Sequence, residues 1–385
     1  MELKDKKKIL ICVDWYTPGY KAGGPIRSVN NMVNAFKRYF DFYILTSAYD
    51  LGDTKPYPNI EANQWNDIDG VFIKYLDKYA MTYASIKTNL FEVNADIIYL
   101  NSLFSKNFTL YPLRYARKEN KQVILAPRGM LGKGALEIKQ SKKKVFLSVA
   151  KILGFYKNIT WHASTTEEEK EIQSVFGRYA NVVIAQNIPL AQTYTLAAVH
   201  ALKPSDKIVL VFVSRISRKK NLHLIIQALN SLKTAKKVEF NMYGLIEDKA
   251  YYAELKSGFK PLSESVSMHY KGVVTPAEVS KVYAGSHYMV LPTKHENFGH
   301  TIVEAWANGC PVIISQNTPW HKLEEKGVGW DVDISDEANY ASAIEKAVNL
   351  SPKEHAEMVI KSYSYFREKV LDEKLVEKHK NLFEK

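Results

Sequence analysis

The sequence predicts an α/β protein made of two similar halves, each organised around a parallel sheet. Two observations carry this. Short apolar runs of strand length alternate along the chain with segments of helical periodicity, the pattern left by parallel strands joined through right-handed helical crossovers. The alternation is interrupted near the middle by a stretch with no firm pattern. Length and composition agree, since 385 residues suit two or three domains and 46% hydrophobic content lets each half bury a core.

In the first half the strand-like runs are Ile9–Val13, Phe42–Leu45, Val71–Ile73, Ile97–Leu100, Val123–Leu125, Ile159–His162 and Val182–Ile184. Between the first two, Ile26, Val29, Met32, Val33 and Phe36 recur at helical spacing. In the second half the runs are Ile208–Val213, Val238–Met242, Val266–His269, Tyr288–Leu291 and Val312–Ile314. The break lies between Asn187-Ile188-Pro189 and Lys203-Pro204, where Gln192, Thr193 and Thr195 show no strand pattern. The expected layout is therefore a Rossmann-like domain over 1–188, a linker over 189–204 and a second Rossmann-like domain over 205–366. A helix over 367–385 follows, with Leu371, Leu375, His379 and Leu382 on one face. Ligands in such sheets bind outside the carboxyl ends of the strands.

Charge narrows the partners. Lys and Arg number 53 against 41 Asp and Glu, a formal net charge of +12, which suits nucleotide diphosphates, anionic lipid surfaces or nucleic acid without choosing among them. The two cysteines, Cys12 and Cys310, sit beside apolar strand residues. They are too few for a disulfide framework or a cysteine-rich zinc site, and read as buried thiols in a reducing compartment. The first apolar run is too short for a signal-peptide core, and no run approaches the ~18–20 apolar residues of a membrane span. A cytoplasmic location is expected, with at most peripheral contact at the inner face of the membrane.

The most informative stretch is Glu296 to Glu304, Glu-Asn-Phe-Gly-His-Thr-Ile-Val-Glu. It follows the strand Tyr288–Leu291 and Pro292-Thr293, and precedes a helix expected over Thr301–Asn308 that Gly309-Cys310-Pro311 stops. Glu296 then lies on a strand-to-helix loop and Glu304 about one turn into the helix. Between them Asn297, Phe298, Gly299, His300 and Thr301 carry the free amides of a helix start, which attract phosphate through unpaired donors and the helix dipole. Carboxylates flanking an anion site suit a nucleotide sugar, whose hydroxyls lie on both sides of a diphosphate. The plainer alternative is two solvated glutamates in an ordinary α/β unit.

Two other loops point the same way. After the strand Ile208–Val213, the segment Ser214 to Leu222 contains Arg215, Arg218, Lys219 and Lys220. A fixed guanidinium and ammonium there would stabilise charge growing on a leaving phosphate and take the place of a metal; otherwise the segment is a solvated basic loop. Gly23-Gly24-Pro25, after the first strand, lets backbone approach a phosphate or acceptor, with Arg27 adding charge, or else is a plain loop. The basic segment Lys139 to Tyr156 interleaves Lys142, Lys143, Lys144 and Lys151 with Val145, Phe146, Leu147, Val149, Ile152, Leu153 and Phe155. It reads either as a packed helix with a basic end or as a helix on an anionic membrane, with Phe146 and Leu147 inserted.

Glu296 to Glu304 resembles the E-x7-E signature of retaining GT-B glycosyltransferases of the family-4, or group 1, type. Ser214 to Leu222 is similar to that family's phosphate-binding Arg/Lys segment, Gly23-Gly24 to its N-terminal glycine loop, and Glu324 to Trp330 to a late segment of such enzymes. The resemblance implies the GT-B fold, two Rossmann-like domains facing a central cleft, with the last helix crossing back to the N-terminal domain. It implies that Glu304 holds ribose, that Glu296 contacts the donor sugar or the developing charge at its anomeric carbon, and that Arg215, Lys220 and the Phe298–Thr301 amides hold the diphosphate. It also puts Tyr243, Gly244 and Val273 beside the nucleotide. Many relatives carry a histidine in the loop after Val123–Leu125, where this chain has Pro127-Arg128-Gly129. Arg128 there either contacts an anionic donor or acceptor, or pairs with a structural carboxylate. His162 reads as structural, and Ser164 or Thr165 as the cap of the helix containing Glu167–Glu171.

The expectation is thus a metal-independent retaining hexosyltransferase with no cofactor, acting from a nucleoside-diphosphate sugar on a glycan or lipid-linked acceptor of surface polysaccharide or lipopolysaccharide biosynthesis. A GT-B-like nucleotide-sugar epimerase would need acid/base carboxylates and histidines that the motifs do not supply. A nucleic-acid-binding protein would concentrate basic and aromatic residues in one module, whereas the 24 tyrosines are scattered.

Overall fold

The structure, a computed structural model, describes residues 6–132, 140–189, 194–203, 206–258, 264–371 and 373–384. The chain forms two compact units, one running through Ile188 and taking in the last helix, the other covering the residues between.

The first unit contains β1 (Lys8–Cys12), α1 (Gly24–Phe36), β2 (Asp41–Ser47), β3 (Trp65–Ile68), β4 (Val71–Leu76), α2 (Tyr83–Val93), β5 (Ile97–Leu100), α3 (Tyr111–Lys118), β6 (Gln122–Leu125), α4 (Gln140–Ile152), β7 (Thr160–Ala163), α5 (Thr166–Phe176) and β8 (Val182–Ile184). Its sheet has the order β3-β4-β2-β1-β5-β6-β7-β8 and is parallel except for the β3–β4 hairpin. Helices cover both faces. Leu10, Leu100, Val123 and Trp161 face a core shared with α2 to α5, while Ile9, Ile11, Phe42 and Ile124 face α1. This is why the strands read as continuous apolar runs. Thr165 is the residue that caps α5, accepting from the Glu168 amide at 3.1 Å.

The second unit contains α6 (Leu196–Leu202), β9 (Ile208–Val213), α7 (Leu222–Ser231), β10 (Val238–Tyr243), α8 (Lys249–Ser257), β11 (Val266–Tyr270), α9 (Pro276–Ala284), β12 (Tyr288–Leu291), α10 (His300–Ala307), β13 (Val312–Ser315), α11 (Leu323–Lys326), β14 (Gly329–Val332), α12 (Glu337–Asn349) and α13 (Pro352–Tyr365). Its sheet is wholly parallel, in the order β11-β10-β9-β12-β13-β14. The last helix, α14 (Glu373–Glu384), belongs to the first unit. There Leu382 and Phe383 are fully buried, and the Phe383 ring packs edge-on against Phe36, Phe40 and Phe42 at 5.5 to 6.4 Å. Emptying a buried phenylalanine site of this kind costs ~3–5 kcal/mol, so these rings fasten the helix.

The expected layout needs three corrections. Leu196–Leu202, inside the expected linker, is a helix of the second unit whose Val199 packs on Val359 and Ala284. The second unit does not stop at 366, because α13 passes into a wider helical turn over Phe366–Val370 whose Phe366 and Val370 lie in that unit's core. Strands β3 and β14 lack an expected counterpart. Residues 190–193 and 204–205 of the expected linker lie outside the described residues. Cys12 and Cys310 are buried free thiols.

Three buried imidazoles and the half-buried His355 have pKa values below their usual range. Burial is the main cause in each, pushing His287 to about 3, His355 and His379 to about 4, and His162 well below. The neutral forms are those the fold holds. Stability from these groups is therefore complete above the unfolded value of ~6.5 and is lost as pH falls below it. Each should cost ~2 kcal/mol between about pH 7 and pH 5. Urea unfolding at the two pH values should show a lower midpoint at the acid one; equal midpoints would mean that the imidazoles titrate normally.

Candidate functional site at the carboxyl edge of the second sheet

In a parallel sheet every strand-to-helix loop leaves from the same edge. In the second unit this gathers the loops after β9, β10, β11, β12 and β13, and hydrogen bonds tie each to the next. Ser214 donates from its amide to the Tyr243 carbonyl (3.0 Å), and Ile216 does so to Leu245 (2.8 Å). The Gly244 amide donates to the Gly272 carbonyl (2.8 Å), and the Tyr270 hydroxyl to the Gly244 carbonyl (2.9 Å). On the other side Lys294 donates to the Lys219 carbonyl (2.8 Å), Ser315 Oγ to the Thr293 carbonyl (2.5 Å), and the Glu296 amide to the Asn317 carbonyl (2.9 Å). Gly244 is fixed by this stacking. Its φ is +146°, and a Cβ there would stand 1.8 Å from the Ser214 carbonyl oxygen, a separation only glycine avoids.

The loops bring Lys220 and Glu296 into an ion pair at 2.5 Å, with side chains 10% and 21% exposed. Burial pushes the Glu296 carboxyl up, but the Lys220 ammonium beside it, helped by Lys219 and His295, more than offsets this and holds it below the usual carboxylate range. Glu296 is therefore ionised at neutral pH. Arg215 is placed elsewhere: it pairs with Glu247 on the loop after β10 at 2.6 Å, partly in solvent. Arg218 pairs with Glu254 and approaches Asp248.

The start of α10 is built on Gly299, whose φ is +80°. A Cβ there would meet Ile302 Cδ1 at 2.6 Å and Glu296 Cγ at 3.3 Å, so glycine lets the helix begin close beside Glu296. With no side chain at this N-cap and no acidic residue in the first turn, the helix offers its leading amides and positive dipole end. Phe298 is buried, with its carbonyl accepting from Trp320 Nε1 at 2.5 Å. Asn297 and Thr301 are partly buried, and His300 and Glu304 buried. Val273, on the loop after β11, is exposed. Tyr243 is half-buried at the carboxyl end of β10, where its carbonyl accepts from the Ser214 amide.

The remaining expected residues lie in the first unit. Gly23 has φ +69° and precedes α1, whose first residue is Gly24; a Cβ at Gly23 would meet nothing within 4 Å. The loop before it is held by buried Asp50, which accepts from the Tyr20 and Lys21 amides at 2.9 and 3.2 Å. Arg27 follows in the first turn, its amide donating to the Gly23 carbonyl (3.2 Å). Among the described residues Arg128 pairs with no carboxylate and instead donates to Asn101 Oδ1 (2.7 Å), Asn187 Oδ1 and the Tyr99 hydroxyl (2.7 Å). Having accepted from Arg128, Tyr99 can donate to His162 Nδ1 (2.8 Å), and His162 Nε2 to the Ala185 carbonyl (2.7 Å). This chain requires the neutral imidazole. His162 is accordingly held in a buried hydrogen-bonded chain, and Arg128 is a cation held by neutral partners. The sequence reading missed Asp50 and also Asp14, which ends the first strand-like run. The Asp14 carboxyl is pushed up by burial and accepts from Ser105 Oγ at 2.7 Å.

Residues 198–364, within the second unit, match the family described as Glycosyl transferases group 1. The α-monoglucosyldiacylglycerol synthase of Streptococcus pneumoniae is 30% identical over 109 residues, 28% of this chain; the match spans only 24% of that synthase's length. A crystal structure of Anabaena HepE with UDP and glucose superposes with a TM-score of 0.72 at 14% identity, covering 98% of each chain. WaaG, a glycosyltransferase involved in lipopolysaccharide biosynthesis, superposes at 0.66 with 15% identity, covering 97% of this chain and 99% of its own. At these identities the likeness establishes the fold: two parallel-sheet α/β domains of the GT-B class.

Gly244→Ala should cost the second unit ~2–3 kcal/mol, because the Ser214 backbone must move to admit the methyl group. Its denaturation midpoint should fall and the Ser214 amide should lose protection from hydrogen exchange. Wild-type behaviour on both measures would show the stacked loops to be looser than described.

Proposed function

We propose that the protein is a retaining glycosyltransferase that moves a hexosyl group from a nucleoside-diphosphate sugar to an acceptor hydroxyl. One observation carries this reading: Lys220, Glu296 and the amide end of α10 converge at the carboxyl edge of one parallel sheet. Cations and helix amides there suit a diphosphate, and an ionised carboxylate held among them suits sugar hydroxyls or a positive anomeric carbon. The match to Glycosyl transferases group 1 and the likeness to proteins solved with UDP-glucose support the same reading.

In the reaction the bond from the anomeric carbon to the leaving phosphate oxygen breaks as the acceptor oxygen bonds that carbon. The acceptor's proton leaves with the nucleoside diphosphate. Lys220 and the α10 amides stabilise the negative charge on the diphosphate, with Arg215 joining once it exchanges Glu247 for phosphate. Glu296 faces the positive charge at the sugar. Glu304 holds the ribose from the helix. These groups neutralise the leaving group without a metal, so activity is expected to survive EDTA.

Glu296→Gln should cut turnover at least a hundredfold while leaving nucleotide affinity within a few-fold, since shape is kept and charge removed. Lys220→Ala and Arg215→Ala should each weaken nucleoside-diphosphate binding tenfold or more, a charge-assisted contact contributing ~1.5–3 kcal/mol. The assay is incubation with UDP- and GDP-sugars, with and without EDTA, reading free nucleotide, epimer and transfer product. An epimer without nucleotide release, or unchanged turnover in Glu296→Gln, would refute the reading.

A lipid-linked acceptor of surface polysaccharide or glycolipid biosynthesis fits best, and α4 supports it. Leu147 and Ala150 face the core and Phe146 packs on Phe104, so the pair expected to enter a bilayer points inward. Val145, Val149 and Ile152, at i, i+4 and i+7, are instead 63%, 48% and 85% exposed, with Leu153 at 55%. Lys144 and Lys151 are exposed on the same helix; Lys139 lies outside the described residues. Apolar side chains beside lysines suit an anionic lipid surface, which attracts each surface lysine by about 1 kcal/mol. In flotation, the protein should rise with anionic vesicles at low salt and not with neutral ones. Val149→Ser with Ile152→Ser should abolish flotation without changing UDP binding. Wild-type protein that stays with the soluble fraction would return α4 to a purely structural role.

A further inference from the structure

The loop after β13 grips the segment between Glu296 and α10 from its buried side. β13 neighbours β12 in the sheet, so the loops that follow them run side by side. The Asn317 carbonyl accepts from the Glu296 amide at 2.9 Å, and Trp320 Nε1 donates to the Phe298 carbonyl at 2.5 Å. Trp320 is itself held at its backbone, its amide donating to Thr318 Oγ1 at 3.2 Å. Its ring meets Phe298 and Trp306 edge-on, at 5.7 and 5.2 Å. All three aromatic residues are buried.

The Phe298 carbonyl and the Gly299 N–H belong to one trans peptide unit, in which they point opposite ways. The carbonyl is drawn into the buried aromatic cluster, so the N–H is turned away from it. Among the described residues the Gly299 amide makes no backbone hydrogen bond. Gly299 itself does not fix this choice. Its φ is +80°, but glycine takes either sign of φ readily. The peptide between 298 and 299 could therefore turn over and present its carbonyl where the N–H now stands. A carbonyl oxygen there would repel the phosphate oxygens that an N–H attracts. The indole opposes the turn. It is a donor with no acceptor, so against an inverted peptide it would face the Gly299 N–H, and two buried donors would go unpaired.

We propose that Trp320 is a positioning residue for the diphosphate: its indole N–H locks the Phe298–Gly299 peptide with the Gly299 N–H directed at the donor's phosphate oxygens. This role rests on the nucleotide-sugar reading of the edge. Trp320 acts only through the peptide it holds. Trp306 supplies a matched control, because its Nε1 donates to the Val328 carbonyl at 3.0 Å, outside the Glu296–Thr301 loop. It is an equally buried indole with the same kind of bond, made to a carbonyl that is not beside the α10 amides.

The test is calorimetric titration of the full chain with UDP, GDP and pyrophosphate, with hydrogen exchange read at the Gly299 amide. In the wild type the tighter-binding nucleotide should protect that amide from exchange. Trp320→Phe keeps an aromatic ring but removes the donor. It should bind the nucleotide and pyrophosphate about tenfold or more weakly and lose the protection. Thr318→Ala frees the Trp320 backbone without touching the indole and should weaken binding severalfold, which keeps the question open to measurement if Trp320→Phe does not fold. Trp306→Phe should lower the denaturation midpoint yet keep wild-type affinity and protection. Wild-type affinity in Trp320→Phe and Thr318→Ala, or an equal loss in Trp306→Phe, would overturn the lock and leave the transferase reading intact. The expected pattern without sugar transfer from any UDP- or GDP-sugar would uphold the lock and remove the transferase reading instead. Failure of the wild type to bind any of the three ligands would overturn both.

Discussion

The second unit depends on a constraint of parallel sheets: strands that all run one way deliver all their following loops to one edge. Lys220 and Glu296 are 76 residues apart in sequence and meet because β9 and β12 are neighbours in the sheet. The close approach of Gly244 to Ser214 is the tightest point of this arrangement. It sets how near the β9 loop lies to the β10 loop, and through Lys219 and Thr293 how near both lie to Glu296. A side chain at 244 would therefore be felt some distance away, at the carboxylate, through backbone alone.

In the first unit a cation is held by neutral partners. Arg128 is held by two amide oxygens and a phenol, and its field is among the causes that keep His162 and His379 neutral. A histidine in this loop, as many GT-B enzymes have, could not span Asn101, Asn187 and Tyr99 at once; a guanidinium can, because its donors fan out in a plane. Asp50 does similar work at the glycine loop, fixing the Tyr20–Lys21 backbone so that Gly23 can turn into α1.

Much of the fold was legible because buried parallel strands must be apolar on both faces, and every such run predicted from the sequence is a strand in the sheets. What escaped has the opposite property. Strand β3, Trp-Asn-Asp-Ile, is a partly exposed antiparallel edge that carries no apolar run, and β14 is broken by Gly329 and Asp331. The helix Leu196–Leu202 is too short for its periodicity to stand out beside the patternless residues before it. At the site, the residue types and their loops were readable, but their pairings were not. Nothing in Ser214 to Leu222 says that Arg215 turns to Glu247 while Lys220 turns to Glu296, since each choice depends on a loop contributed from elsewhere in the chain. The same limit applies to α4. Its amphipathic period was visible, but which apolar set faces inward depended on where Phe104 and the core lay.

The Lys220–Glu296 pair contributes more to position than to stability. Pairing two charges at 10% and 21% exposure gives little net stability, because removing ions from water offsets most of their attraction. An interaction of that kind is better understood as fixing position. Burial alone would raise the Glu296 carboxyl toward neutrality, and the adjacent ammonium keeps it ionised. The carboxylate is thus held charged, with little water around it, beside a helix start made accessible by Gly299. Each ammonium has three donors and Lys220 is drawn to Glu296 by one contact, so an arriving anion can share the lysine without breaking the pair. An anion at the α10 amides and a cationic carbon at Glu296 would then each meet the opposite charge, with Lys220 common to both. That pairing of opposite charges across one short distance is what breaking a bond between a sugar carbon and a phosphate oxygen generates.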